Sequence, residues 1–224
     1  MKRVFLMSIA WLGMQTAFAQ TVTKNVGDFT SVKVFDKINV QLVASSKSQV
    51  QISGEKANDV QVINKDGDLK IRMQTTKTLQ GSVVNVTVYY NKGLQEIDAN
   101  EGATVTNSGK IKSNSLALNV QEGASINVSL DVQKLSVNSV TGGVVQTSGK
   151  ATTQGVVINT GGKYNGKDLT TSQTTVAINA GGSAEVYASK VVDAKTRAGG
   201  TIDIYGSPAT VNKKTNLGGQ ITVH

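Results

Sequence analysis

The sequence predicts an all-β chain, most of it wound as a β-solenoid with coils of about twenty residues and glycine-rich corners. Three observations carry that prediction. Glycine recurs at a near-constant interval, taking the last one at each corner: Gly102, Gly123, Gly143, Gly162, Gly182, Gly200 and Gly219. Between these corners apolar and polar residues alternate, the period of a strand that buries one face. Pro208 is the single proline in 224 residues, which leaves long β-ladders uninterrupted.

The first nineteen residues read as a secretory signal peptide. Lys2 and Arg3 begin it, a mostly apolar run from Val4 to Phe18 follows, and Ala17-Phe18-Ala19 is a small-x-small cleavage site before Gln20. The expected location is therefore the periplasm, the outer surface or the medium. Removing the segment lowers the formal charge from +8 by the two charges of Lys2 and Arg3. No cysteine exists to carry a lipid or a disulfide, so stability must come from a hydrogen-bonded core. No later run approaches the roughly 18 to 20 apolar residues of a transmembrane helix.

Residues 20–91 form a less regular β-region, read as the first coils of the same domain. Val32-Lys33-Val34, Ile38-Asn39-Val40-Gln41-Leu42, Val50-Gln51-Ile52 and Val60-Gln61-Val62 each alternate. Asp66-Gly67 then marks a tight turn before Leu69-Lys70-Ile71-Arg72-Met73, because glycine accepts positive φ without steric cost. Val84, Val86 and Val88 give one more strand.

From residue 92 to 224 the pattern repeats. Leu116, Leu118 and Val120, then Val156 and Ile158, then Val176 and Ile178 are expected to stack as interior columns. Asn119, Asn138, Asn159 and Asn179 follow in similar places and read as amide ladders or turn residues. A second corner runs in step through Ser108-Gly109-Lys110, Ser148-Gly149-Lys150, Asn165-Gly166-Lys167 and Ala188-Ser189-Lys190. The rival architecture is a sandwich or closed barrel, which does not require the same turn residues to recur in register.

These residues resemble the auto-transporter adhesin, head GIN domain family of Gram-negative bacteria. The likeness lies in Phe29 to Val34, Ile38 to Leu42, Gly67 to Ile71, the repeated glycine corners and the closing Ile202 to Pro208. It implies a right-handed parallel β-helix, an exported or surface location and a role in adhesion. The Gly-Ser-Gly corner of that family is here Glu-Gly-Ala or Gly-Gly, and the family supplies no catalytic residues to carry over.

Catalytic chemistry is thinly represented. His224 is the one histidine, which leaves neither a general base for a triad nor a zinc set. The alternative is a carbohydrate-active enzyme, a polysaccharide lyase or hydrolase. Glu101 and Glu122, at equivalent corners, are the carboxylate pair a hydrolase would use, whereas a lyase would want an aspartate cluster for calcium and a basic residue. Asn64 to Asp68 offers calcium-type oxygens without the downstream glutamate of an EF-hand, so a plain turn is preferred. No metal or cofactor is expected. Nucleic acid is a poor partner, because Arg72 and Arg197 are the only arginines beyond the leader and no aromatics interleave the basic residues.

Lys110, Lys134, Lys150, Lys167 and Lys190 fall at or beside the second corner, one per repeat. Stacked in register they would make a basic stripe for an acidic glycan or another polyanion. The plainer alternative is that edge lysines keep a long β-stack soluble. Tyr187 and Tyr205 occupy similar places and could form a short ladder for sugar rings. The last strand, Ile221 to His224, leaves an open coil end, expected to be covered by the local fold or by another copy in a homo-oligomer. The expected function is an exported, non-catalytic, adhesin-like binding or scaffold protein.

Overall fold

A computed structural model describes residues 21–74 and 84–224. The expected leader lies outside the described residues. The N-terminal region contributes β1 (Thr21–Asn25), β2 (Ser31–Val34), β3 (Asn39–Ala44), β4 (Gln49–Ser53), β5 (Val60–Lys65), β6 (Asp68–Met73) and β7 (Asn85–Tyr90), with one 3-10 turn at Ala57–Asp59. The coil continues through β8 (Glu96–Ala99), β9 (Thr104–Ser108), β10 (Ile111–Val120), β11 (Ser125–Ser139), β12 (Val144–Ile158) and β13 (Lys163–Thr170). It ends with β14 (Gln173–Ile178), β15 (Ser183–Tyr187), β16 (Val191–Ala198), β17 (Thr201–Tyr205), β18 (Thr210–Leu217) and β19 (Gln220–Val223). The nineteen strands among the described residues belong to one hydrogen-bonded sheet wound on itself, a β-solenoid whose stacked coils pair in parallel.

Interior columns follow from the ladder register. One runs Leu69, Val32, Ile97, Leu118, Val137, Val156, Val176 and Ala194. Every member is buried. Each large aliphatic side chain so covered contributes roughly 1.5–3 kcal/mol of burial. Across the interior, Val86, Val40, Val105, Ile126, Val145, Tyr164, Ala184 and Ile202 form the facing column.

The N-terminal strands are not stacked in chain order. β2 lies between β6 and β8, and β3 lies between β7 and β9, all parallel. The chain therefore lays down the second coil first, returns to build the end coil from β6 and β7, then passes over to the third. That end is finished with antiparallel strands: β5 on β6, β4 on β7 and β1 on β4. Asp66 and Gly67, with φ of 54° and 88°, are the turn of the β5–β6 hairpin. The Asn64 amide beside them donates to the Val26 and Asp28 carbonyls, so this segment is a structural turn.

At the first corner each coil bonds to the next through one glycine N–H: Gly102 to Glu122 O, Gly123 to Thr141 O, Gly142 to Thr160 O, and Gly161 to Ala180 O. Gly181 and Gly199 continue the series, donating to Ala198 O and Leu217 O. The equivalent residue is therefore the first of each Gly-Gly pair, not the last, from which the interval is counted in the sequence. The second glycine has a different task. A Cβ on Gly143 would come within 2.8 Å of Val120 O on the coil before. Ala103 and Ala124 fill that place in earlier coils, each N–H bonding back to the residue three before it as that of Gly143 does.

The opposite end is closed by polarity. The column that reads Val156, Val176 and Ala194 arrives at Lys213, and the column Ile158, Ile178 and Thr196 arrives at Thr215. The Lys213 ammonium donates to Ile221 O at 3.3 Å, reaching across the last coil, although Leu217 stays 81% exposed. An inward-pointing charge on an edge strand opposes pairing with another edge. Lys213→Val is expected to turn a monomer into a concentration-dependent dimer in sedimentation velocity. An unchanged monomeric variant, or an already dimeric parent, would show that the lysine does not guard this end.

Candidate functional site

The second corner, between the two long sides of the coil, is concave. Near its N-terminal end it encloses about 910 Å³, with Thr30, Lys92, Gln95, Lys112, Asn114 and Asp131 in the wall. A further space of about 260 Å³ continues over the next coils, lined by Asp131, Lys150, Thr152, Thr170, Ser172 and Ser189. Asp131 and Gln133 border both, so the two form one groove that crosses successive rungs. Strand parity shapes it. Val132, Ala151 and Thr171 turn inward and are buried, while the residues on either side of each turn out as walls.

Lys112, Asp131, Lys150 and Thr170 are consecutive partners along one wall. Lys150 Nζ lies 3.6 Å from Asp131 Oδ1, and the lysine side chain remains 67% exposed. Such a pair is worth at most about 1 kcal/mol, so the ammonium can turn to another anion at little cost. Along the other wall Thr152 donates to Gln133 Oε1 at 2.8 Å. Lys190 continues this wall, its N–H bonded to Ser172 O. At the head of the groove Lys92 is held 2.7 Å from Asp28. The Lys92 ammonium and the Asn91 amide keep the Asp28 carboxyl below the usual aspartate range.

The five predicted lysines do not share one column. Lys150 lines the groove, Lys190 follows Ser189 at its far end, and Lys134 stands on its margin between Ser115 and Thr153. Lys110 precedes Ile111 in a segment two residues longer than the equivalent part of the next coil. Lys167 sits in the bulge between Asn165 and Asp168, so Asn165-Gly166-Lys167 is not level with Ser148-Gly149-Lys150. Lys92 and Lys112, absent from the predicted row, replace these two. Strand parity gives Lys112 away, since Ile111 is buried and Lys112 must therefore point out.

Other predicted features fall elsewhere. Asn119 and Asn138 pair in one outward column, while Asn179 donates to Asn159 Oδ1 at 2.8 Å in another. Tyr187 and Tyr205 are ladder partners, and His224 stacks on Tyr205 with its ring 4.7 Å away and Nε2 2.9 Å from Asp203. Glu101 and Glu122 occupy successive turns of the first corner, away from the groove. Partial burial, with Asp36 and Glu122 nearby, raises the Glu101 carboxyl above its ordinary value. Among the described residues no cluster of three or more acidic, histidine or cysteine side chains is arranged for a metal, and no helix is long and apolar enough to cross a membrane.

The fold is similar to solved structures. A putative adhesin from Bacteroides fragilis superposes with a TM-score of 0.84 at 21% identity, covering 93% of this chain and 98% of that one. A putative adhesin from Parabacteroides distasonis gives 0.72 at 19% identity over 92% and 97% of the two chains. A putative lipid binding protein from the same species gives 0.69 at 14% identity over 92% and 98%. Comparison with curated proteins finds no match. The family model described as "Putative auto-transporter adhesin, head GIN domain" matches residues 28–208, across both the inserted N-terminal coils and the glycine-cornered repeats, and the chain belongs to that family.

Proposed function

We propose that this is an exported, non-catalytic binding protein of the adhesin type, whose second-corner groove holds an extended acidic polymer. The observation that supports it is a groove continuous over several rungs, walled by lysines alternating with hydroxyl and amide groups. An elongated ligand can touch every coil there, and weak contacts add along its length. The hydroxyl-rich lining suits a sugar chain better than an acyl chain, which would leave these groups without partners.

The triple variant Lys112→Gln, Lys150→Gln, Lys190→Gln is expected to elute from a sulfated-polysaccharide column at clearly lower salt than the parent. Lys110→Gln with Lys167→Gln, off the groove, is expected to change retention little. Salt-insensitive retention, or equal loss in both variants, would remove the groove from consideration. The alternative enzyme reading predicts new reducing ends or unsaturated products from an anionic polysaccharide panel, and the binding reading predicts none.

A further inference from the structure

The charges in the groove are spaced, and the spacing selects a ligand. We propose that the polymer is a linear polysaccharide bearing one anionic group, carboxylate or sulfate, on every second sugar, laid along the solenoid axis; this rests on the groove being the binding surface.

Successive rungs of the ladder are about 4.8 Å apart. Lys112 and Lys150 are partnered through Asp131 and so stand two rungs apart, about 10 Å. Asp131 occupies the rung between them, 3.6 Å from the Lys150 ammonium, and Lys134 stands further along the same rung on the margin of the groove. The rung after Lys150 is neutral, presenting Thr170, Ser172 and Gln173. Lys190 comes on the rung after that, bonded through its N–H to Ser172 O. From Lys112 to Lys190 the lysines of the groove walls therefore fall on every second coil, with a carboxylate or hydroxyls between and Lys134 set back on the margin.

An extended chain of pyranose rings advances by close to one rung per sugar. Anions on alternate sugars would meet Lys112, Lys150 and Lys190 in turn. The intervening neutral sugars would offer hydroxyls to Asp131, which accepts hydrogen bonds, and to Thr170 and Ser172. A polymer with an anion on every sugar would set one against the Asp131 carboxylate, where like charges repel. Among the described residues neither Lys112 nor Lys190 forms an ion pair, so both are open to a ligand.

The probes are size-matched oligosaccharides of hyaluronan, with a carboxylate on alternate sugars, and of polygalacturonate, with one on each. Charge density alone favours polygalacturonate, since binding driven by counterion release grows with the number of charges neutralised. The proposal expects the reverse, with hyaluronan bound about tenfold more tightly at fixed salt by calorimetry. Asp131→Asn is expected to narrow that ratio by strengthening polygalacturonate binding, with the parent circular dichroism spectrum retained. Binding of both polymers with polygalacturonate equal or better would overturn the spacing rule and leave the groove standing. Binding of neither would overturn the groove reading, and the spacing rule with it.

Discussion

Gly149→Ala is expected to lower the stability of the solenoid by about 2–5 kcal/mol, enough to bring its denaturant midpoint well below that of the parent. Two costs combine. Gly149 has φ of +100°, where an L side chain is strained, and a left-handed backbone costs an alanine roughly 1–2 kcal/mol. An added Cβ would also run into the Leu130 carbonyl of the preceding coil, which is backbone and cannot swing aside. Forcing it away costs roughly a further 1–3 kcal/mol. The control is Gly142→Ala. Gly142 also has positive φ, at 72°, but a Cβ there meets nothing within 4 Å. Its replacement should cost only about 1–2 kcal/mol. Equal midpoints for the two variants in urea titration would mean that close approach between coils is not what the second corner demands of Gly149.

The other large effect belongs to a buried polar network that interrupts the hydrophobic interior. The Tyr164 hydroxyl donates to Gln154 Oε1 at 2.8 Å and lies 2.8 Å from Thr147 Oγ1. Gln154 Nε2 passes the chain on to Thr174 and to Tyr187 O, and Thr171 joins through the same two groups. Tyr164, Gln154, Thr147, Thr171 and Thr174 are all buried. Tyr164→Phe keeps the ring, which rests over Gly166, but strands Gln154 Oε1 in the core. A buried acceptor left without its donor costs about 1–3 kcal/mol. The midpoint should fall by that amount at neutral pH, and a smaller loss would mean that the network relaxes around the gap.

The same hydroxyl carries a pH signature. Burial pushes the Tyr164 phenol well above the ordinary tyrosine range, against a smaller opposing effect of its Thr147 hydrogen bond. The unfolded chain releases this proton near pH 10, whereas the folded chain retains it. The stabilisation is thus complete below about pH 10 and declines as pH rises above that value towards the folded pKa. Denaturation midpoints at pH 8 and pH 11 should converge partly in Tyr164→Phe. Some slope should persist, because burial also raises the Tyr90 phenol. An identical slope in parent and variant would exclude Tyr164 as its source.

Much of the architecture was legible in the residues themselves. Period-two alternation identified which side of each strand faces in, so Leu116, Leu118, Val156, Ile158, Val176 and Ile178 were read as core and are buried. Recurrent glycines located the corners, and Asp66-Gly67 located a hairpin turn. Both signals are local: side-chain parity and the steric limits on φ act within a few residues of chain. The groove was only half legible. Of the five lysines the repeat names, Lys150 lies in the wall, Lys190 at the far end and Lys134 on the margin, while Lys110 and Lys167 are out of register with them; Lys92 and Lys112 of the wall are not in that row.

What the sequence determined alone was therefore a coil, its inward faces and the places where it must bend. Only the tertiary structure decided which residues lie level with one another. The two extra residues around Gly109-Lys110 and the bulge at Gly166-Lys167 shift the register without disturbing the alternation on either side. The insertion of β2 and β3 between later strands leaves their own patterns unchanged. Parallel pairing joins residues about a coil or more apart in the chain, and its register is settled by packing across that distance. No local preference records it, and the lining of a groove that spans many rungs depends on it entirely.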